Sequence, residues 1–455
     1  MPGFQKQTAR QRRLDKLNAA APPHGRVEHE GSVAFGPALT VERFRLENGL
    51  SILLCEDHAA PVVAYHTWFA VGSRHEHEGK TGLAHLFEHL MFNETEHLAA
   101  GEFDRKLEQA GAESNAATWL DWTQYNVAVP KQQLGVVIEL EAERMAHLVL
   151  REPQVESEKE VVANERRYRV DDDVEGTASE QLWATAFTQH AYQWPTIGWM
   201  KDIEGFSTED CQAFYRTFYA PNNATVVVVG DVSEAAALRR IMQAYGSRPA
   251  VELPLEDVMP EPPQTAERRF ELEKPTATDK LLVGYHSPAL GDFDYPALSL
   301  LAEVLFGGRA SRMHQRLIHE LELATEVRSF VGPFRDPGLT EIYASARGSH
   351  RAEELLEVID QELDRVREEP ILLAELERAR ARLELGLLAS LDSVDGKAST
   401  IGFYDTVLGR PAAAFERLEA TARISAGDLR RVARRYLVPE RRTVGFVRPQ
   451  KASGT

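Results

Sequence analysis

His85-Leu86-Phe87-Glu88-His89, an H-x-x-E-H pentapeptide, lies at the centre of Gly82-Leu83-Ala84-His85-Leu86-Phe87-Glu88-His89-Leu90-Met91-Phe92. The residues around it are apolar, so the spacing predicts a buried helix that carries three polar groups. At about 100° per residue, His85 and His89 are about 40° apart and Glu88 lies about 60° to the other side of His85, so all three project from one face. Two imidazoles can then share a metal ion while the carboxylate reaches a water bound to it, which is the chemistry of a zinc hydrolase. The bland reading is a helix whose histidines only cap or pack. The order is the reverse of H-E-x-x-H and is the inverzincin pattern. Zinc also needs a third protein ligand, so the motif can be tested further along the chain.

The test falls on Glu156-Ser157-Glu158-Lys159-Glu160-Val161-Val162-Ala163-Asn164-Glu165-Arg166-Arg167, a charged helical stretch punctuated by Val161 and Val162. With this stretch the chain resembles the M16 family of zinc peptidases (pitrilysin, insulin-degrading enzyme, mitochondrial processing peptidase). In that family H-x-x-E-H is followed by a ligand glutamate in a V-x-x-E context, matched here by Val162-Ala163-Asn164-Glu165. The resemblance therefore implies one zinc ion held by His85, His89 and Glu165, with Glu88 as the catalytic base. The family keeps a second glutamate seven residues before the ligand, and Glu158 occupies that place. Seven residues are nearly two helical turns, so Glu158 and Glu165 share a face. Glu158 can orient a ligand histidine from behind, or it is a solvated glutamate of an acidic helix. Glu156 and Glu160 fall on other faces and read as surface charges.

Gly101-Glu102-Phe103 through Leu107-Glu108 to Gly111, and then Asn115-Ala116-Ala117-Thr118, match further family segments. In the family the N-A-x-T strand is a sheet edge on which the substrate peptide lies as an added strand. By that resemblance Asn115, Ala116 and Ala117 are substrate-binding candidates, and β-augmentation of this kind recognises backbone more than side chains. Their other reading is a strand that begins after a turn and binds nothing.

A length of 455 residues with 43% hydrophobic residues provides for two full cores. An internal repeat supports the split. Phe206-Ser207-Thr208-Glu209-Asp210, a helix, Phe218-Tyr219-Ala220-Pro221 and the strand Val226 to Val229 form one copy. Ile424-Ser425-Ala426-Gly427-Asp428, a basic helix, Tyr436-Leu437-Val438-Pro439 and the strand Val444 to Val447 form the other. Asp210 with Asp428, Pro221 with Pro439 and Thr225 with Thr443 share one offset of 218 residues. At the starts of the halves, Arg43-Phe44-Arg45-Leu46 is matched to Arg269-Phe270-Glu271-Leu272.

The expected domains are residues 36–248, with the metal motif, and 265–449, without one, joined by the Pro-rich acidic linker 249–264. Residues 1–35, with Lys6, Arg10, Arg12, Arg13 and Lys16, read as a flexible basic arm. Alternating strands and long helical patterns predict an α+β fold, and the resemblance implies two homologous domains, each a mostly antiparallel sheet with helices packed on one face.

The same resemblance exposes a departure. Active family members carry an arginine and a tyrosine in an L-R-E-x-x-G-L-A-Y type segment that binds substrate and stabilises the oxyanion. Here the segment reads Leu317-Ile318-His319-Glu320-Leu321-Glu322-Leu323-Ala324-Thr325, with Ile318 and Thr325 at those places. Arg312 and Arg316 are nearby cations. Short two-domain members work as pairs of chains, so the resemblance implies the zinc subunit of a heterodimer whose M16-like partner supplies the arginine and tyrosine, rather than a homodimer. The implied substrate is a peptide or unfolded polypeptide. The alternatives are a leader-processing peptidase subunit and a noncatalytic core-protein-like assembly subunit.

The net charge of −18 argues against a nucleic-acid partner. The acidic residues Glu78 and Asp171-Asp172-Asp173 steer basic peptides or simply serve solubility. No stretch approaches the roughly 18 apolar residues of a membrane span, and the first residues lack the apolar run of a secretory signal. The only cysteines, Cys55 and Cys211, suggest free thiols in a reducing compartment, so the expected location is the cytoplasm. Arg74-His75-Glu76-His77-Glu78 reads as a surface loop, His97, His147 and His190 have no spaced partners, and Trp119, Trp122 and Trp194 read as packing.

Overall fold

The computed structural model describes residues 2–255 and 258–450, with side chains from residue 9 onward. The Lys6 side chain and residues 256 and 257 of the expected linker lie outside the described residues. Among the described residues, twelve strands build two sheets. The first contains β1 (Val27–Phe35), β2 (Leu39–Leu46), β3 (Ser51–Glu56), β4 (Val62–Phe69), β5 (Glu113–Thr118), β6 (Thr123–Pro130) and β7 (Ala224–Gly230), in the order β1-β2-β3-β7-β4-β6-β5. The second contains β8 (Arg268–Lys274), β9 (Lys280–His286), β10 (Ala324–Val331), β11 (Leu339–Ala346) and β12 (Arg442–Pro449), in the order β10-β11-β9-β12-β8. The architecture is α+β, as expected.

The repeat is a duplicated five-stranded pattern. β3, β7, β4, β6 and β5 correspond in place to β8, β12, β9, β11 and β10. Among the described residues, the parallel pair in each sheet is the first two strands of that series, β3 with β7 and β8 with β12, and the rest pair antiparallel. The shared 218-residue offset marks the same local structure twice. Ser207 accepts from the Asp210 N–H and Ser425 from the Asp428 N–H, each in a capping box. Each helix is followed by a short 3-10 turn opened by Pro221 or Pro439, and then by β7 or β12.

The expected match between the starts of the halves is corrected by strand pairing. Arg43 to Leu46 lies in β2, between β1 and β3, whereas Arg269 to Leu272 lies in β8, beside β12 as β3 is beside β7. Two strands with the same R-F-x-L pattern thus hold different places, because pairing partners are set by residues far along the chain.

Residues 1–35 are also corrected. They contain a helix over Pro2–Asn18 and the sheet strand β1. Asn18 ties the helix to the strand by accepting from the Val27 N–H at 2.7 Å and donating to the Val27 carbonyl at 2.9 Å. Arg10 pairs with Glu42 at 2.7 Å and with Glu234 at 3.0 Å, so a cation of the supposed arm holds the sheet. The described residues of the linker form neither helix nor strand.

The division into two compact units is interleaved instead of following 36–248 and 265–449. The first unit takes the described residues up to Val162, 196–255 and 390–415, and the second takes 163–195, 258–389 and 416–450. In the first unit, helices Leu134–His147 and Glu234–Tyr245 cover one face of the central strands. Thr67 donates to Glu141 at 2.9 Å and the Tyr65 and Tyr245 hydroxyls are 2.8 Å apart on that side. The opposite face, with Ala64 and Trp68, packs on Ala398 and Ile401 of helix Val394–Leu408, which the C-terminal half of the sequence contributes. In the second unit, Leu281, Val283 and Tyr285 pack on helices Tyr295–Phe306, Ala352–Glu368 and Ala426–Tyr436. Helix Val174–Ala186, from the N-terminal half, covers β8, β9 and β12. Helices of the same half therefore occupy one face of each sheet, and an exchanged helix covers the other.

Candidate metal centre and strand edge

The motif forms a helix over Leu83–Leu90, between β4 and β5 in sequence. It begins at Gly82, whose φ of +97° favours glycine and where a Cβ would sit 2.5 Å from the Ile197 carbonyl oxygen. The first turn is capped from a distance. Glu76 accepts from the N–H groups of Gly82 at 2.8 Å and Ala84 at 2.7 Å. Burial pushes the Glu76 carboxyl up to about 8, against the lowering pull of those two N–H groups. The expectation of a surface loop at Arg74 to Glu78 is thereby corrected. Arg74 and Glu76 are buried, the Arg74 guanidinium lies 3.6 Å from the equally buried Asp121, and only His77 and Glu78 of the stretch are exposed. An acidic group is needed inside because a buried helix start leaves N–H groups that require an acceptor.

Phe87 anchors the apolar side of the helix against Phe214 and Tyr219, with ring centroids 5.2 and 5.1 Å away. The other side presents His85, which is buried, and the half-buried Glu88 and His89, the two imidazoles being 5.1 Å apart between ring centres. Glu158 and Glu165 stand on the helix Glu152–Arg166, which buries Val155, Lys159 and Val162 as its inner stripe. Lys159 donates to the Phe206 carbonyl at 2.8 Å, so the stripe tolerates a cation. Glu156 pairs with Lys159, and both Glu156 and Glu160 are exposed, as expected.

His85, His89 and Glu165 are brought together, one ligand atom of each lying within 4.8 Å of the others. Glu165 lies in the last turn of its helix. Directly after it the helix widens into a π turn at Arg167–Asp171, from which Arg169 reaches Glu165 at 3.0 Å. Two imidazoles and one carboxylate are a donor set that suits zinc and leaves a fourth position for solvent or substrate. Glu158 lies 3.6 Å from His89 Nδ1 and accepts from Asn93 at 3.2 Å. Its interaction with His89, helped by Asn93 and opposed by partial burial, holds its carboxyl below the usual range. Glu158 is therefore paired with His89 at the end of the motif helix.

Asn115, Ala116 and Ala117 lie on β5, an end strand of the first sheet, paired among the described residues on one side only, with Asn126, Tyr125 and Gln124 of β6. The Ala116 N–H donates to the side chain of Asn115 at 2.9 Å, so that donor faces the unpaired edge. The segment that lacks arginine and tyrosine is occupied structurally. Ile318 packs against the second core, and the Thr325 hydroxyl donates to the Ser345 carbonyl at 3.3 Å. Arg312 is held by both oxygens of Glu375 at 2.7 Å, and Arg316 pairs with Glu320 at 2.9 Å. The nearby cations are thus committed to local partners. Of the acidic run, Asp171 lies 3.4 Å from Arg166 and Asp173 caps the next helix through the Gly176 N–H at 2.6 Å, so two of the three acids have local structural roles.

The comparisons with known proteins bear on the family. Residues 51–198 match the family model described as Insulinase (Peptidase family M16), and residues 205–383 match the Peptidase M16 inactive domain. The chain is 30% identical over 418 residues to "Zinc protease PqqE" of Helicobacter pylori, covering 90% of this chain and 93% of that protein. It is 25% identical over 372 residues to "Uncharacterized zinc protease YmxG" of Bacillus subtilis, covering 81% and 89%. A crystal structure of a protease from Helicobacter pylori superposes with a TM-score of 0.86 at 29% identity, over 93% of this chain and 99% of that one. The chain belongs to the M16 family of metallopeptidases, whose relatives here carry the name zinc protease. Among the described residues, no helix is long and apolar enough to cross a membrane.

Proposed function

We propose that this chain is the zinc-carrying subunit of a peptide hydrolase in which His85, His89 and Glu165 hold the ion and Glu88 is the catalytic base. The observation that carries the reading is the convergence of those three donors from two helices. Zinc bound there would polarise a scissile carbonyl and bring the pKa of a water to about 7. Glu88, on the same face of the motif helix, takes the proton of the attacking water on its carboxylate and returns it to the leaving amine nitrogen. Glu158 holds the His89 ring through Nδ1, which would make Nε2 the nitrogen that binds the metal. The unpaired edge of β5 aligns an extended peptide by main-chain hydrogen bonds, with the outward N–H of Ala116 as one donor.

Ile318 and Thr325 supply neither charge nor phenol, and Arg312 and Arg316 are already paired. We therefore place oxyanion stabilisation on a second M16-like chain, with peptides or unfolded polypeptides as the substrate. The two unbridged, buried cysteines, Cys55 and Cys211, suit a reducing compartment, and the cytoplasm is the proposed location. Hydrolysis of an internally quenched peptide tests the partner requirement. The zinc-loaded chain alone is expected to be inactive and to gain turnover when mixed with a short M16-type chain that has arginine and tyrosine in this segment. Full turnover by the chain alone would replace the heterodimer with a self-sufficient enzyme.

A further inference from the structure

His97 and His147 have no spaced partners in the sequence, yet the fold brings them together. Their ring centres are 5.0 Å apart at an interplanar angle of 88°. Glu96 joins them, and one ligand atom of each of the three lies within 4.8 Å of the others. The backbone builds this arrangement. Thr95 and Leu148 form an isolated antiparallel bridge, the Glu96 N–H donates to the His147 carbonyl at 2.9 Å, and the Val149 N–H donates to the Glu94 carbonyl at 3.1 Å. The donors are thus held opposite one another by main-chain bonds and do not depend on long side chains meeting by chance.

Glu143, one turn before His147 on the helix Leu134–His147, completes the arrangement from behind. Its Oε1 is 3.0 Å from His97 Nδ1 and accepts from the Thr95 hydroxyl at 2.6 Å. A carboxylate on one imidazole nitrogen fixes the ring and directs the other nitrogen outward, which is how metal-bound histidines are oriented. The His97, Glu96 and His147 side chains are 65%, 64% and 41% exposed, so an ion would enter directly from solvent and complete its coordination with water.

We propose that Glu96, His97 and His147 form a second divalent-metal site of the zinc type, oriented by Glu143 and separate from the His85–His89–Glu165 group. Two imidazoles and one carboxylate favour zinc or copper over magnesium and calcium, which take oxygen donors. An ion here ties the segment that follows the motif helix to the end of the helix Leu134–His147, adding a cross-link at this corner of the first unit.

Equilibrium dialysis of the full-length chain against zinc alone, with the bound metal counted, tests the proposal. Two zinc ions are expected per wild-type chain and one in the surface variant H97A/H147A. One is also expected in H85A/H89A, whose melting temperature should still rise with added zinc as binding stabilises the folded state. Glu143→Gln should weaken the second ion about 10–100-fold while leaving the count at saturation unchanged. A second zinc retained at wild-type affinity in H97A/H147A would overturn the site, as would no zinc bound by a folded H85A/H89A chain. The result for H97A/H147A bears on this site alone, so it fails independently of the proposed catalytic centre.

Discussion

The motif helix Leu83–Leu90 follows β4, and the helix Tyr295–Phe306 follows β9, the strand in the corresponding place of the second sheet. The first carries His85, Glu88 and His89 on one face and anchors the other face with Leu86, Phe87 and Leu90. The second buries Ala297, Leu298, Leu300, Leu301, Val304 and Leu305, and none of its buried residues is a metal-ligand type. Both pack on the helix that precedes the last strand of their sheet: the motif helix on Thr208–Phe218, and Tyr295–Phe306 on Ala426–Tyr436. The duplicated scaffold thus fixes where a helix goes, and a few polar residues on one copy distinguish the helix proposed to hold a metal from the other.

The sharpest way to break this comparison is to make the two helices alike. His85→Ala removes one of three protein donors and should lower zinc affinity at this centre by more than the about 10–100-fold typical of an outer partner, with peptide hydrolysis in the presence of the proposed partner chain falling to background. Metal content and turnover at limiting zinc would check it, and an unchanged affinity would mean that the ion is held elsewhere.

The exchanged helices give a second test. Gly402 lies so close to Trp68 that a Cβ would meet its indole nitrogen at 2.0 Å. Gly402→Ala should destabilise the first unit by about 1–3 kcal/mol through overpacking, read as a lower urea midpoint. A neutral result would show that helix Val394–Leu408 does not pack on β4 in solution.

A smaller effect distinguishes the edge strand β5. Since the Ala116 N–H faces outward, Ala116→Pro removes a donor that the sheet itself does not use. Loss of one main-chain bond to an added strand, worth about 1 kcal/mol, should lower kcat/KM for an extended peptide several-fold when the proposed partner chain is present, while zinc content stays the same. Equal kcat/KM in the two proteins would argue against docking at this edge.

The smallest effect is in pH. His66 is fully buried and lies 2.8 Å from Asp395, whose carboxyl it holds below the usual range, with partial burial opposing. A depressed carboxyl contributes stability above its unfolded pKa of about 3.9 that is lost as pH falls through the lower folded value. Asp395 is 41% exposed, so solvent screening keeps the contribution below about 1 kcal/mol. Denaturant melts at pH 6 and below pH 4 should show a slightly shallower loss in Asp395→Asn than in the wild type.

Much of this was legible in the sequence for a local reason. Capping boxes at Ser207 and Ser425, the turns at Pro221 and Pro439, and the helical spacing of His85, Glu88 and His89 are set by residues within one or two turns of each other. The 218-residue repeat was visible because those signals are local. What was not legible depends on pairing across the chain. Arg43 to Leu46 and Arg269 to Leu272 share a pattern but sit in different strand positions. The exchange of helices Val174–Ala186 and Val394–Leu408 leaves no mark in composition, because either sheet accepts an apolar helix face. Arg74 and Glu76 read as surface from charge density alone, whereas a buried helix start required Glu76 as an acceptor. His97 and His147 are far apart in sequence and are joined only by a two-residue bridge.

Glu88→Gln tests the central claim most directly, because it keeps the size and hydrogen bonding of the side chain and removes only the base. Zinc content and hydrolysis of a quenched peptide should be measured together, with the proposed partner chain present. The variant should hold as much zinc as the wild type and lose about 10²–10⁴-fold in kcat. Wild-type turnover in a zinc-loaded Glu88→Gln chain would contradict it.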